Sequence, residues 1–173
     1  MTAPVVRLAM AGDADELTRV HVEGGLGHVV TDVWRNTHRA DLARRLLAAD
    51  PDLVAVVAVG SGGAGMEIVS AAVGFIHPAL CRPGSSAGRS AHLASVATLP
   101  RFRRSGYATA VTTAFITEVQ ARGCPAITLT ATDAGACLYR GLGFDPHPRA
   151  MRLDLSQAAV RQRRPLQPYA VER

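Results

Sequence analysis

The fold is decided by one stretch of the chain, Leu93-Ala94-Ser95-Val96-Ala97-Thr98-Leu99-Pro100-Arg101-Phe102-Arg103-Arg104-Ser105-Gly106-Tyr107-Ala108. Its apolar first half predicts a strand that Pro100 closes, and the amphipathic run over 107–122 predicts a helix. A strand that leads through a short loop into a helix directs several free backbone N–H groups, with the positive end of the helix dipole, at one point. The stretch therefore predicts an anion site at the start of this helix.

Phosphate is the anion that this loop suits best. Gly106 lets the backbone approach an anion closely, and Arg103 and Arg104 add positive charge beside it. A tight turn with no ligand is the alternative explanation of the glycine, so the rest of the chain has to decide between the two.

The composition indicates one globular domain. The chain has 173 residues, of which 48% are apolar and 19% charged, and its net charge is +5. All of its 19 basic residues are arginine, which suits an anionic cofactor or nucleic acid but is equally explained by a GC-rich coding bias.

The three cysteines, at positions 81, 124 and 137, form no C-x-x-C pair, so we expect neither a disulfide framework nor a zinc site. With no secretion signal and no membrane span recognised, we expect a soluble cytoplasmic protein.

The remaining elements are predicted from periodicity and from turn residues. Asp13 is expected to cap a helix that ends at the glycines from 24 to 27, and a second helix over 38–49 is expected to turn Leu42, Leu46 and Leu47 inward. The other predicted elements are strands over 5–9, 53–59, 67–76, 126–130 and 151–155, and a helix over 133–140. The order is β-α-α-β-β-β-α-β-α-β, a mixed sheet with helices on it, followed by a basic tail over 156–173.

Two other patterns are set aside. Gly60-x-Gly62-x-x-Gly65 matches a dinucleotide fingerprint, but a predicted strand follows it where the fingerprint needs a helix, so we predict a hairpin loop. The chain has no lysine, which excludes a Walker-type phosphate loop. His21 and His28 lack the regular spacing of metal ligands, so we expect surface or hydrogen-bonded histidines and no metal.

Two motifs together resemble the GNAT superfamily of N-acetyltransferases. Arg103-x-x-Gly106-x-Ala108, between a strand and a helix, resembles motif A of that family, Q/R-x-x-G-x-G/A. Leu138-Tyr139-Arg140-Gly141-Leu142-Gly143-Phe144 resembles its L-Y-x-x-L-G-F segment, and the strand over 151–155 agrees with its closing strand. The resemblance covers about residues 91–155, and it implies a single GNAT domain over 1–155.

The resemblance implies a fold and a co-substrate. The fold is α/β (α+β), a mostly antiparallel sheet of six to seven strands flanked by about four helices, with two strands splayed apart where acetyl-CoA binds. Backbone groups of the strand would pair with the pantetheine arm, and those of the loop and helix start would hold the pyrophosphate. The predicted acetyl-CoA contacts are Val96, Ala97, Thr98, Arg103, Arg104, Ser105, Gly106, Tyr107, Ala108 and Thr109.

Tyr139 is the first candidate for catalysis. A tyrosine with a pKa near ~10 stays protonated at neutral pH and can donate its proton to the leaving CoA thiolate. In the family the matching tyrosine lies beside the sulfur. A core ring packed on Phe144 is the alternative role.

His92 is the candidate for the general base. It begins the strand at the place where some members of the family carry a glutamate, and a histidine titrates near ~6.5. The alternative general bases are Glu23, Glu67 and a chain of water molecules. The alternative role of His92 is a surface residue at the start of the strand. Thr132 replaces the asparagine that the family often has before the last helix, which leaves a CoA contact there open.

The implied function is transfer of the acetyl group of acetyl-CoA to a primary amine of a small molecule or peptide. Two alternatives stay open: a non-catalytic acyl-CoA-binding module, and a toxin-like enzyme acting on aminoacyl-tRNA, suggested by the arginines over 161–164. Nucleic acid is otherwise not expected as a partner, nor is a membrane, and the resemblance allows a homodimer. The acceptor is expected to bind near residues 24–39 and near Arg149. Trp34, in the first of these regions, would form a hydrophobic side of the acceptor site or belong to the core.

Overall fold

The computed structural model describes residues 4–26, 30–62, 65–80 and 87–146. The chain divides into two compact units, Met1–Gly143 and Phe144–Arg173, and the second is described only over 144–146. The predicted strand over 151–155 and the basic tail therefore lie outside the described residues. So do His28, Cys81 and Arg149, on which sequence predictions also fell.

The first unit is built on a sheet whose strands follow chain order in space. The strands are β1 (Val5–Leu8), β2 (Leu53–Gly62), β3 (Gly65–Pro78), β4 (Arg89–Thr98) and β5 (Ile127–Leu129). The helices are α1 (Ala14–His21), α2 (Asp32–Leu47), α3 (Tyr107–Ala121) and α4 (Asp133–Gly141). The first four strands pair antiparallel, whereas β5 runs parallel to β4 and is reached through α3. The predicted fold class is confirmed, with five strands in the described residues where six to seven were predicted.

The glycine-rich string lies in the β2–β3 hairpin. Gly60 and Gly62 belong to β2, and Gly65 opens β3 opposite Gly62. Because a strand and not a helix follows the last glycine, the string does not form the dinucleotide fingerprint, and the predicted hairpin is confirmed.

Helices cover both faces of the sheet. On one face α1 and α2 pack on alternate residues of β2 and β3; on the other face α3 packs on the residues between them, with Phe115 fully buried. Residues 53–58 of β2 are therefore buried on both sides, which explains their unbroken apolar run. Exclusion of this apolar area from water is the main stabilising term for the layered core.

Two details of the first helices differ from prediction. The carboxylate of Asp13 does not cap α1; it accepts hydrogen bonds from the Met10 backbone N–H at 2.7 Å and from Arg7 at 2.6 Å. The second helix begins at Asp32 and not at His38, with the Thr31 hydroxyl accepting from the Trp34 backbone N–H. Leu42 is buried as predicted and Leu46 partly so, but Leu47 is 80% exposed.

Candidate functional site

The sheet opens between β4 and β5. These strands pair over only three residues of each, from Ala91 opposite Ile127 to Leu93 opposite Leu129. Beyond that point Ala94 forms a bulge, since Leu93 pairs with Gly74 of β3 and Ser95 with the preceding Val73. The second half of β4 therefore keeps its pairing with β3 and has no strand on its other side among the described residues. This is a splayed strand pair of the kind that the resemblance implied.

The predicted contacts of the pantetheine arm lie on this unpaired half of β4. Val96 is partly buried beside the α3 face, and Ala97 and Thr98 are buried. The hydroxyl of Ser70 on β3 lies 2.8 Å from the Thr98 hydroxyl and donates to the Ala97 carbonyl at 2.9 Å. These buried hydrogen bonds fix the end of β4, so its free edge is rigid.

The loop after β4 leads into α3 with an unusual backbone. Arg104 has φ of 60° and Gly106 has φ of 82°, both in the left-handed region, where glycine is favoured. The first hydrogen bond of α3 runs from the Ala110 N–H to the Gly106 carbonyl. Among the described residues, the N–H groups of Tyr107, Ala108 and Thr109 have no acceptor, as expected at a helix start. They supply the N–H groups of the predicted anion site.

The two arginines of this loop play different parts. Arg103 donates through Nη2 to the Gly24 carbonyl at 3.0 Å and through Nε to the Thr98 carbonyl at 3.4 Å. It thereby ties the turn that follows α1 to the end of β4. Arg104 and Ser105 are exposed. The side chain of Tyr107 contacts the ring of Phe102 edge-on, at 5.9 Å between centroids, so it packs on the protein.

Tyr139 and His92 lie on opposite faces of the sheet. Tyr139, on α4, is partly buried against the α3-side core, and burial raises the pKa of its hydroxyl. Ala91 and Leu93 point to that same core, so His92 between them points to the other face. There its Nδ1 lies 3.0 Å from the Thr128 hydroxyl of β5.

The rival carboxylates have other partners. Glu67 binds Arg19 at 3.2 Å and also binds Arg101. Glu23 is half-exposed, 3.9 Å from Arg19. Thr132 caps α4, since its hydroxyl accepts from the Gly135 backbone N–H at 3.2 Å. Among the described residues, no group of three or more histidine, cysteine or acidic side chains is placed to hold a metal ion.

A buried histidine pair was not foreseen from the sequence. His21 on α1 is 3% exposed, and its Nδ1 lies 2.9 Å from Nε2 of His38 on α2. Trp34 stacks on His38 at 4.5 Å between ring centroids. The expectation of surface or hydrogen-bonded histidines holds for Nδ1 of His21 only, because its Nε2 is buried without a hydrogen-bond partner among the described residues.

The turn that follows His21 and ends α1 lies against the open half of β4. It is a π-helical turn, Val22–Leu26. A Cβ on Gly24 would lie 2.9 Å from the backbone N, C and O atoms of Thr98, whereas a Cβ on Gly25 would lie 3.7 Å from Cβ of Ala97. Glycine at position 24 is therefore required for the close approach of the two backbones.

The part of the chain that the structure describes contains no helix long and apolar enough to span a membrane.

Comparisons with known proteins agree with this geometry. The model of the acetyltransferase (GNAT) family matches residues 28–144. A glucosamine 6-phosphate N-acetyltransferase of Trypanosoma brucei brucei is 32% identical over 89 residues, which is 51% of this chain and 58% of that relative. The matched region thus spans little more than half of that relative's length.

Solved structures share the fold. A predicted acetyltransferase from Clostridium acetobutylicum, solved with acetyl-CoA, superposes with a TM-score of 0.73 at 20% identity, over 90% of this chain and 98% of that one. An aminoglycoside N-acetyltransferase in complex with CoA superposes with a TM-score of 0.67 at 18% identity, over 89% and 95%. Since the family model covers more than half of the chain, and the splayed strands and the helix start fit it, this protein belongs to the acetyltransferase (GNAT) family.

Proposed function

We propose that the protein binds acetyl-CoA in the gap between β4 and β5 and transfers its acetyl group to a primary amine. The observation that carries the proposal is the end of β4–β5 pairing at Leu93, which leaves the rest of β4 as a free edge that runs to the loop before the open N–H groups of α3. A gap beside a free strand edge suits an extended pantetheine arm, and a helix start suits a pyrophosphate. Family membership supports the same co-substrate.

The predicted contacts divide into two groups on this geometry. Backbone groups of Val96, Ala97 and Thr98 would pair with the amide groups of the pantetheine arm, as an added strand does. The N–H groups from Arg104 to Thr109 would hold the pyrophosphate, with the dipole of α3 behind them. Arg104, which is exposed, would supply a positive charge to the pyrophosphate, whereas Arg103 holds the turn after α1.

Tyr139 is proposed as the acid that protonates the leaving thiolate. Burial raises its pKa, so the hydroxyl keeps its proton throughout the neutral range and has it to give. A CoA thiol has a pKa near that of other thiols, about 8.5. Because the pKa of Tyr139 is higher, transfer of its proton to a solvated CoA thiolate is uphill. Tyr139 would therefore donate its proton while the thiolate is forming in the gap between β4 and β5. His92 stays a candidate for the base, as predicted from sequence, and its contact with Thr128 orients its ring.

The acceptor class is proposed from the relatives. One relative is named for glucosamine 6-phosphate and a structural neighbour for aminoglycosides, so amino sugars are the first small amines to test. Peptide amines stay in the proposal as the second class. The cytoplasmic setting, the single domain over 1–155 and the homodimer stay predictions.

The test combines binding with turnover. CoA affinity is measured by titration calorimetry, and thiol release from acetyl-CoA is followed with glucosamine 6-phosphate, glucosamine, an aminoglycoside, free amino acids, a lysine peptide and aminoacyl-tRNA. CoA binding with thiol release on an amino sugar or a peptide is the expected result. Binding without release on any acceptor would identify a non-catalytic CoA module, and absence of CoA binding would remove the proposal. Release on aminoacyl-tRNA alone, lost steeply with added salt, would identify the tRNA-directed alternative.

A further inference from the structure

The His21–His38 pair has a feature that ordinary packing leaves unexplained. His21 is 3% exposed, and its Nδ1 is hydrogen-bonded to His38, yet its Nε2 has no partner among the described residues. A buried polar atom left without a partner loses its hydrogen bonds to water with nothing to replace them, which lowers stability. Such an atom is the expected mark of a group that is supplied by a bound molecule.

The position of His21 points to the open half of β4. Gly24 and Gly25 follow it by three and four residues, so they lie on about the same face of the helical turn. Both of them contact the end of β4, at Thr98 and Ala97 respectively. His21 thus stands one turn from the strand edge at which we place the thioester-bearing arm, with His38 on the side of α2.

We propose that the His21–His38 pair is the proton relay of the acetyl transfer, in which Nε2 of His21 accepts the proton of the acceptor ammonium and His38 passes a proton to solvent. This proposal rests on the function proposed above. His21 would be a catalytic residue, because it touches the reacting nitrogen, and His38 the group through which its proton leaves.

The protons balance through the reaction. The ammonium gives one proton to Nε2 of His21, and the Nδ1 proton of His21 moves to Nε2 of His38 in the same step. The free amine attacks the thioester carbonyl carbon, the C–S bond breaks, and the nitrogen keeps one hydrogen as an amide. A second nitrogen proton goes to the CoA thiolate by way of Tyr139. One proton is thus released overall, through His38.

The environments of the two rings suit these parts. Burial, and then the charge on His38, lower the pKa of His21 to about 4, so its ring is neutral at neutral pH and one of its two nitrogens is free to accept a proton. Burial also lowers the pKa of His38, which the carboxylate of Asp41 partly offsets. The positive charge comes to rest on the partly exposed His38, where the face of Trp34 at 4.5 Å stabilises a cation. A charge left on His21 would instead be buried without a counterion.

The relay requires one tautomer, which can be measured without any acceptor. Nitrogen-15 NMR of the wild-type protein at pH 7 is expected to show the His21 proton on Nδ1 and a bare Nε2, and the Nε2 signal is expected to shift when acetyl-CoA is added. A proton on Nε2 of His21 would overturn the proposal, because that atom could then accept nothing.

Two variants test the relay in turnover. His21→Gln and His38→Gln are each expected to lower kcat at pH 7 by at least about tenfold on the fastest acceptor of the amine panel above, while the Kd for CoA stays within twofold. In both, the fall of kcat on the acid side of the pH profile is expected to move to higher pH, toward the pKa of the acceptor ammonium itself, because no base remains to take its proton. The His38 position is only partly buried, so this variant keeps the test open if His21→Gln fails to fold.

The outcomes separate the relay from the proposed function. If the wild-type protein turns over and both variants keep its kcat and its pH profile, the relay is overturned and the proposed acetyltransferase function stands. The same shift of the acid-side fall in His92→Gln, and not in the other two variants, would return the role of base to His92. A wild-type protein that binds no CoA would remove both proposals together.

Discussion

At the scale of single residues, the proposed anion site depends most on Gly106. Its φ of 82° lies where any side chain is strained, yet a Cβ added there would meet no atom within 4 Å. The glycine is therefore required for its backbone conformation, and the space beside it is open to a ligand. The sequence indicated this turn correctly because the strand, the glycine and the helix are adjacent in the chain.

Replacing Gly106 tests that site. We expect Gly106→Ala to destabilise the fold by about 1–2 kcal/mol through the left-handed conformation and to weaken CoA binding at least tenfold, because the loop N–H groups lose their alignment. Gly123→Ala is the matched control, since Gly123 has φ of 76° and equally open space at the other end of α3. It should cost similar stability in urea unfolding and leave the Kd for CoA unchanged. Equal losses of CoA affinity in both would contradict the assignment.

Tyr139 gives a second test at this scale. Tyr139→Phe keeps the ring against the α3-side core and removes only the proton donor. We expect kcat to fall by roughly 10²-fold or more, with CoA affinity kept. Steady-state kinetics beside calorimetry check this, and an unchanged kcat would leave Tyr139 as a packing residue, which is the alternative that the sequence left open.

At the scale of elements, the turn between α1 and α2 is held against β4 by close backbone contact. Gly24→Ala would put a Cβ 2.9 Å from the Thr98 backbone, so the turn must move; Gly25→Ala meets only an ordinary contact at 3.7 Å. We expect Gly24→Ala to cost about 1–3 kcal/mol of unfolding free energy and to lower kcat/KM, while Gly25→Ala stays within about 0.5 kcal/mol. Thermal or urea unfolding measures the difference. Equal effects of the two variants would contradict the contact.

The α1–α2 contact also makes stability depend on pH. The folded-state pKa of His21, about 4, lies below its ordinary value, so the unfolded chain binds more protons between about pH 6.5 and 4. Unfolding free energy is therefore expected to be complete above pH 6.5 and to fall, by about 3 kcal/mol, as the pH drops to 4. His21→Leu should flatten the curve in this window. A wild-type stability that is constant from pH 7 to pH 4 would contradict a buried neutral His21.

Prediction from sequence succeeded for elements and failed for some boundaries. The order of strands and helices through α4 follows from periodicity and from glycine and proline. The start of α2 was missed because its first turns are exposed and show no apolar stripe, although Thr31 is a readable N-cap. Leu46 and Leu47 are neighbours, and adjacent helix residues do not share a face, so Leu47 points to solvent.

Prediction of the candidate site succeeded for features that are local in sequence and failed for contacts between distant residues. The loop and the helix start are local in sequence and were predicted, whereas the His21–His38 contact joins two helices and the Arg103–Gly24 contact spans 79 residues. Contacts of that kind depend on tertiary packing, and one sequence carries no signal for them. In particular, that Nε2 of His21 has no hydrogen-bond partner among the described residues can be recognised only once its burial is known.

At the scale of the whole molecule, the layered sheet brings three parts of the proposed site together. In the proposal, the open half of β4 takes the arm of the donor and the start of α3 takes its phosphates, while the turn after α1 contacts the same strand end. The strand end is fixed by the buried hydrogen bonds of Ser70, which suits a site that must align an amine with a thioester.

The most direct test of the account is calorimetric titration of the wild-type protein with CoA, followed by thiol release from acetyl-CoA with glucosamine 6-phosphate and the other amines. The account predicts one CoA site per chain, lost or weakened in Gly106→Ala but kept in Gly123→Ala, and thiol release that requires an amine. A protein that binds no CoA, or that binds it equally well with Gly106 replaced, would contradict the central claim.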